Sequence, residues 1–150
     1  MIHSVHTATL SALDPRTLHG ILRLRTDVFV VEQDCAYREV DGRDAEATTM
    51  HFWYEDTDGE PVATLRVLVD DADDGREYRI GRVCVRKELR GTGLTTAMMD
   101  RAVAYIGRDE SVMNAQSHLV DMYAKWGYVA DGPEFLEDGI PHVPMRRPRS

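Results

Sequence analysis

Apolar and polar positions alternate briefly around Val5, and the period then lengthens. From Pro15 onward Leu18, Ile21, Leu22 and Phe29 recur on one helical face, with Arg23 and Asp27 pointing elsewhere. Asp14 before Pro15 supplies a capping carboxylate and a proline at the first helical position, so a helix is predicted from there to about Val31, its apolar face against a sheet. Residues 35–48 are polar, with Asp41-Gly42 as a turn signal. Strands follow at 50–54, 62–69 and 78–85, separated by Asp58-Gly59 and by the acidic loop 70–75, which predicts an antiparallel meander. That loop lacks the register and closing glutamate of a calcium loop and reads as a hairpin tip. Leu94, Ala97, Met98, Ala102 and Tyr105 mark a second amphipathic helix. A short strand at 112–115, a helix at 119–126 capped by Gly127, and strands at 128–130 and 142–145 complete an order β α β β β α β α β β, an α+β chain with one central crossover.

One hundred and fifty residues with 43% hydrophobic and 29% charged positions suit a single domain, residues 1–150, with a real core. A formal net charge of −8 repels phosphate backbones, so nucleic acid is not an expected partner. No apolar run approaches a bilayer span, and the start Met1-Ile2-His3-Ser4 has neither a basic nor an apolar leader region, so a cytoplasmic location without membrane association is expected. Cys35 and Cys84 lack CxxC spacing, and the six histidines lack HxH, HxxxH or HExxH spacing, so free thiols and no metal site are expected.

The chemistry concentrates between Arg82 and Thr96, where a strand ends, glycines follow and a helix begins. Unpaired N–H groups and the positive dipole end at such a helix start suit a phosphate, and glycines let it approach the backbone. Gly93 is followed by Leu94-Thr95 rather than Lys-Ser or Lys-Thr, which excludes a Walker A loop. A dinucleotide fingerprint would need a third glycine where Thr96 stands. An ordinary ligand-free turn is the bland alternative, against which Arg82, Arg86, Lys87 and Arg90 crowd within nine residues of an acidic chain.

Arg90-Gly91-Thr92-Gly93-Leu94-Thr95 resembles the pyrophosphate signature of the GNAT acetyltransferase superfamily, with Thr95 in place of its last small residue. Met122-Tyr123-Ala124-Lys125-Trp126-Gly127-Tyr128 is similar to that superfamily's aromatic-Tyr-x-x-x-Gly-aromatic segment, apart from Met122 at the first position. Phe29-Val30-Val31-Glu32-Gln33, Ile80-Gly81-Arg82-Val83, Ala115-Gln116-Ser117-His118-Leu119 and Glu137-Asp138-Gly139-Ile140-Pro141-His142 resemble the ElaA-like subgroup and span nearly the whole chain.

The resemblance implies a GNAT-like mixed, mostly antiparallel central sheet with helices on both faces and a strand-loop-helix pyrophosphate cradle. It implies direct acetyl transfer from acetyl-CoA to a primary amine of a small molecule or peptide, the alternative being a non-catalytic acyl-CoA-binding or regulatory module. Implied cofactor-binding residues are Val83, Cys84 and Val85 on the strand, Arg90, Gly91, Thr92, Gly93, Leu94, Thr95 and Thr96 in the cradle, and Gln116 opposite. Tyr123 is the implied general acid, and Glu32, His118 and His142 are the candidate bases, since the strand 78–85 carries no carboxylate beyond Glu77 before it. Cys84 invites an acyl-cysteine route, which mid-strand burial disfavours. Glu32, Asp34, Glu39, Asp41, Asp44 and Glu46 form an acidic cluster that suits either a cationic acceptor or a solvated face. Apolar residues on the last strands would suit a homodimer, though nothing in the pattern demands one.

Overall fold

The computed structural model describes residues 4–150; Met1, Ile2 and His3 of the leader argument lie outside them. Eight strands form one mixed sheet: β1 (His6–Ala8), β2 (Met50–Glu55), β3 (Pro61–Ala72), β4 (Gly75–Val85), β5 (Glu110–Gln116), β6 (Val129–Ala130), β7 (Phe135–Glu137) and β8 (Ile140–Arg147). The order is β1-β2-β3-β4-β5-β8-β6, with β7 also on β8. Every pairing is antiparallel except β4 with β5, because helix α2 (Leu94–Ile106) carries the chain across between them. This is the α+β sheet expected from the sequence, with β2, β3 and β4 as the meander. The acidic loop is the β3–β4 hairpin tip, where Ala72 faces Gly75.

Helix α1 begins at Pro15, capped as expected by Asp14, whose carboxylate accepts from the N–H of Arg16 at 2.9 Å and of Thr17 at 3.0 Å. Its end departs from expectation. The α-helix stops at Arg25 and widens into a π-helix over Thr26–Glu32, where Gln33 and Cys35 donate N–H bonds to Val28 and Val30, five residues back. The wider turn rotates the buried face, so Ile21, Leu24, Arg25 and Val28 are buried while Leu18, Leu22 and Phe29 are only partly so. The expected helix 119–126 is a single 3-10 turn, Ser117–Leu119, followed by a short α3 (Val120–Ala124) and a tight turn that ends at Gly127 in the left-handed region (φ 91°). Strand β7 was not expected; Pro133 and two acidic residues around it hide its three-residue pattern, and it exists as one arm of the Asp138-Gly139 hairpin.

The two faces of the sheet differ. Phe52, Leu65, Val67 and Ile80 pack with Met98, Met99 and Ala102 of α2 in the main apolar core. On the other face Leu24 and Val28 of α1 meet Cys84 in a small second cluster, and the remaining area is covered by segment 35–48.

Candidate active site

Strands β4 and β5 are in register only from Glu77 to Arg79 against Glu110 to Val112. Beyond that point β5 stays bound to β8 as far as Gln116, while Ile80–Val85 has no β5 partner. A bulge bends β4 where the strands part. Thr64 faces Cys84 and Arg66 faces Gly81, so Leu65 stands opposite both Arg82 and Val83, and Arg82 takes a left-handed φ of 54°. The result is a cleft of about 750 Å³ with β4 and α1 on one wall and β5, α3 and the β7–β8 hairpin on the other.

The strand 78–85 runs through a 3-10 turn into the glycine loop and α2. Gly91 and Gly93 both need positive φ (78° and 89°), and a side-chain carbon at Gly91 would meet open space. The first helical hydrogen bond is Ala97 N–H to the Gly93 carbonyl at 3.1 Å, so the preceding N–H groups have no helical acceptor and carry the positive dipole end.

Of the implied cofactor-binding residues, Val83, Cys84, Val85, Arg90, Thr95 and Gln116 line the cleft. Gly91, Thr92, Gly93 and Thr96 sit on the exposed turn beside it. Leu94 is buried in the core, so only its backbone can serve a ligand. Cys84 also turns its side chain away, against Leu24 and Val28, and burial pushes its thiol up to about 12, which removes it as a nucleophile at neutral pH.

The crowd of cations does not act as a crowd. Arg90 donates to the Val85 carbonyl at 3.1 Å and forks onto Glu32 at 2.6 and 2.9 Å. Arg82 turns to Glu39 at 2.9 Å and stacks over Tyr37, and Arg86 faces Asp56 at 3.7 Å. Lys87 alone of the four has no ion pair among the described residues. Phosphate attraction at the turn therefore falls to backbone N–H groups and Lys87.

Glu32, His118 and Tyr123 all reach the cleft. Glu32 is a poor general base, contrary to expectation: the Arg90 fork holds its carboxyl below the usual range and occupies both oxygens. His118 is exposed on the 3-10 turn. His142 is 8% exposed, and its Nδ1 donates to the Ile140 carbonyl at 2.7 Å, which leaves Nε2 as the acceptor of the neutral ring, 3.5 Å from Glu137. Tyr123 is 5% exposed against Trp126; burial pushes its phenol up to about 12, with Tyr128 adding to the shift. Its hydroxyl has no hydrogen-bond partner among the described residues.

The acidic cluster divides: Glu32, Asp34 and Asp41 are exposed and Glu46 is partly so, whereas Glu39 and Asp44 are buried on arginines. Buried Arg25 donates from Nε to Glu39 at 2.7 Å and from Nη1 to Asp44 at 2.7 Å, and Arg66 donates to Asp41 at 2.7 Å and to Asp44 at 3.1 Å. Tyr37 donates its hydroxyl to Glu39. Although burial pushes Asp44 up, the Arg25 bond holds it below the ordinary carboxyl range, and the Arg66 bond does the same for Asp41. Sequence reasoning missed Arg25, Arg66 and Tyr37. A signal was present in two arginines standing at positions that should be apolar, one among the buried residues of a helix and one inside the run Val62–Val69.

The fold and this cleft define a class, the acyl-CoA-dependent N-acyltransferases. The sequence profile of the "Acetyltransferase (GNAT) domain" matches residues 18–148, and the chain belongs to that family. It is 49% identical over 138 residues to the UPF0039 protein Rv2851c of Mycobacterium tuberculosis, covering 92% of this chain and 88% of that one. It is 37% identical over 143 residues to Protein ElaA of Escherichia coli, covering 91% of each, and the crystal structure of E. coli ElaA superposes with a TM-score of 0.86 over 97% of this chain and 99% of that one. The crystal structure of an acyl-CoA N-acyltransferase from Pseudomonas aeruginosa, 39% identical, superposes with a TM-score of 0.88 over the same shares. The residues present fit an acyl-CoA: an open strand edge for its amide-rich arm, and uncommitted N–H groups beside a glycine with free space for its phosphates.

Proposed function

We propose that the protein transfers an acetyl group from acetyl-CoA directly to a primary amine, with no acyl-enzyme stage. The reading rests on one observation. The β4–β5 gap opens beside the glycine-led start of α2, and an unpartnered phenol lines it. When bound, acetyl-CoA supplies an acyl group already activated as a thioester. Val83, Cys84 and Val85 offer backbone groups along the open edge, and Gln116 offers an amide from the other wall. The turn from Arg90 through Gly91, Thr92, Gly93, Leu94, Thr95 and Thr96 offers the pyrophosphate its N–H groups, with the Arg90 side chain acting as a strut that ties β4 to α1 through Glu32. The bulge takes Val83 out of register with β3, so its N–H is the group suited to an oxyanion. Tyr123 Oη keeps its proton at neutral pH and is the donor for the departing sulfur. A thiol ordinarily titrates near ~8.5, so the phenol acts there mainly as a hydrogen-bond donor. With Glu32 held by Arg90, the ammonium proton passes to His118 or to His142 Nε2.

The first test is a thermal-shift titration with acetyl-CoA, CoA, ATP and NAD. At a hundredfold excess over Kd a native-state ligand stabilises by about 2.7 kcal/mol. Shifts with acetyl-CoA and CoA alone support the cradle, and a preference for ATP or NAD sinks it. Tyr123→Phe then tests the chemistry: turnover should fall by about a hundredfold while the CoA shift is kept. Unchanged turnover would remove Tyr123 from its role. The free carboxylate that a strand base would need is absent near β4 among the described residues, since Glu77 is engaged by Arg146 at 3.2 Å. A non-catalytic acyl-CoA-binding module is accordingly the reading that binding without turnover on any primary amine would favour.

A further inference from the structure

Where the two strands part, at the root of the cleft, one guanidinium is left uncommitted. Arg79 is the last β4 residue paired with β5 and lines the cleft where the strands begin to part. It is half-buried, and its guanidinium makes no hydrogen bond or ion pair among the described residues. Arg66, on the neighbouring strand, also lines the cleft. It is 4% exposed, and while its two terminal nitrogens are held by Asp41 and Asp44, its Nε is one of two buried side-chain polar atoms without a partner among the described residues. The register places both arginines on one face of the sheet. Arg66 pairs with Gly81 and Leu68 with Arg79, while the intervening Tyr78 and Ile80 belong to the opposite, α2-facing core. Between the arginines stands Gly81, where a side-chain carbon would meet nothing within 4 Å.

An unpaired, half-buried guanidinium lining the point where the strands part, beside a glycine with open space over it, has the chemistry of an anion site, because leaving such donors without an acceptor costs free energy. The cradle's phosphates cannot be that anion. Six residues of strand, about 20 Å, separate Arg79 from Val85 at the cradle end of β4. We propose that Arg79 binds the carboxylate of the acceptor, so that the substrate class is a primary amine carrying a carboxylate: an amino acid or the C-terminal residue of a short peptide. The proposal rests on the transferase reading for the role of the amine, but not for the binding of the carboxylate.

The test therefore has a readout that needs no turnover. The full-length protein, saturated with CoA, is titrated by thermal shift with N-acetyl amino acids of small, aliphatic, aromatic and cationic side chain. Each is compared with its carboxamide, and N-acetyl dipeptides run alongside to separate a free amino acid from a peptide end. The expected result is a carboxylate that binds about tenfold or more tightly than its carboxamide, and a difference that disappears in Arg79→Gln, whose side chain leaves no partner unpaired. In steady state Arg79→Gln should raise KM for the matching amino acid about tenfold or more, with KM for acetyl-CoA unchanged. Carboxamides that bind as well as carboxylates throughout, no binding of either, or a preference that survives Arg79→Gln would overturn the proposal. A carboxylate preference lost in Arg79→Gln, in a protein that acetylates no amine, would leave the anion site standing and remove the transferase reading instead.

Discussion

The two faces of this sheet are built from different materials. Under α2 the contacts are apolar throughout, and Leu65, Met98 and Met99 are at most 1% exposed. Under α1 and segment 35–48, beside the apolar Ile21, Leu24 and Val28, buried places are also held by Arg25, Arg66, Glu39 and Asp44, and next to them stand Thr49 and His51. Burial of apolar surface is stabilising in proportion to area, whereas a buried ion pair roughly breaks even after its desolvation cost. The first face therefore holds the fold together, and the second decides where things stand. Glu39 is gripped by α1 and β4, Asp44 by α1 and β3, and Asp41 by β3 and β4, and the grip sets Tyr37, Arg38 and Asp41 into the cleft wall.

Removing one partner from the charged face is the strongest way to test that division. Arg25→Met leaves buried Glu39 with Arg82 and buried Asp44 with Arg66 as their remaining arginine partners, and should cost about 3–5 kcal/mol, in the range of a severe core deletion. Leu65→Ala on the α2 face should cost about 2–5 kcal/mol by transfer and cavity terms. The sizes overlap, but the pH responses do not. Without Arg25 the two carboxyls are cheaper to bury protonated, so the gap between Arg25→Met and the unaltered protein should narrow as pH falls from 7 toward 5, while the Leu65→Ala gap stays constant. Urea denaturation at both pH values reads this directly, and equal narrowing or none in both variants would refute the distinction.

The same division explains what was legible in the sequence. The α2 face follows from periodicity: Leu94, Met98 and Ala102, with the alternating strands, gave the core and the crossover in one reading, while Tyr105, on the same predicted face, is 45% exposed. Asp14-Pro15 marked the start of α1 because capping is local. Its π-helical end, and with it the identity of the buried face, depends on what packs there, and no local signal reports that. Charges misled for the same reason. Arg82 and Arg90 lie eight residues apart, on and just after β4 before the glycine turn, but their partners, Glu39 and Glu32, come from segments some fifty residues earlier, and only the tertiary fold brings them together. The places of Tyr123 and Gln116 in the cleft lining, and of the glycines at the start of α2, were legible because they depend on position along elements that the sequence predicts well.

A smaller effect belongs to the intact charged face. Asp41 and Asp44, and Glu32 at the cleft, all titrate lower in the folded chain than in the unfolded one. Their contribution is fully present above the unfolded carboxyl range near ~4 and is lost as pH falls through their folded values. Melting temperature should therefore change little between pH 7 and 5 on their account and drop below about pH 4. In Arg25→Met, where Asp44 loses one of its two arginines, that drop should be slightly shallower. A steady loss beginning near pH 6 would point to groups other than these.

The smallest predicted effect probes how closely α1 is seated on the sheet. Gly20 is buried in mid-helix, where a side-chain carbon would lie 2.6 Å from Cδ and 3.0 Å from Cγ of Pro61, the first residue of β3. A proline ring cannot swing aside as a flexible side chain could, so α1 must lift or β3 must shift. Gly20→Ala gains about 1 kcal/mol of helix propensity and loses about 1–3 kcal/mol to overpacking, which leaves a net destabilisation of about 1 kcal/mol and a Tm lower by about 2–4 °C. Arg25 lies five residues further along the same helix, so a lifted α1 also loosens the grip on Glu39 and Asp44. The sharper readout is thus the pH response. If α1 moves, Gly20→Ala should acquire a weak form of the acid-narrowed gap of Arg25→Met. If only the start of β3 yields, the loss should be as independent of pH as that of Leu65→Ala.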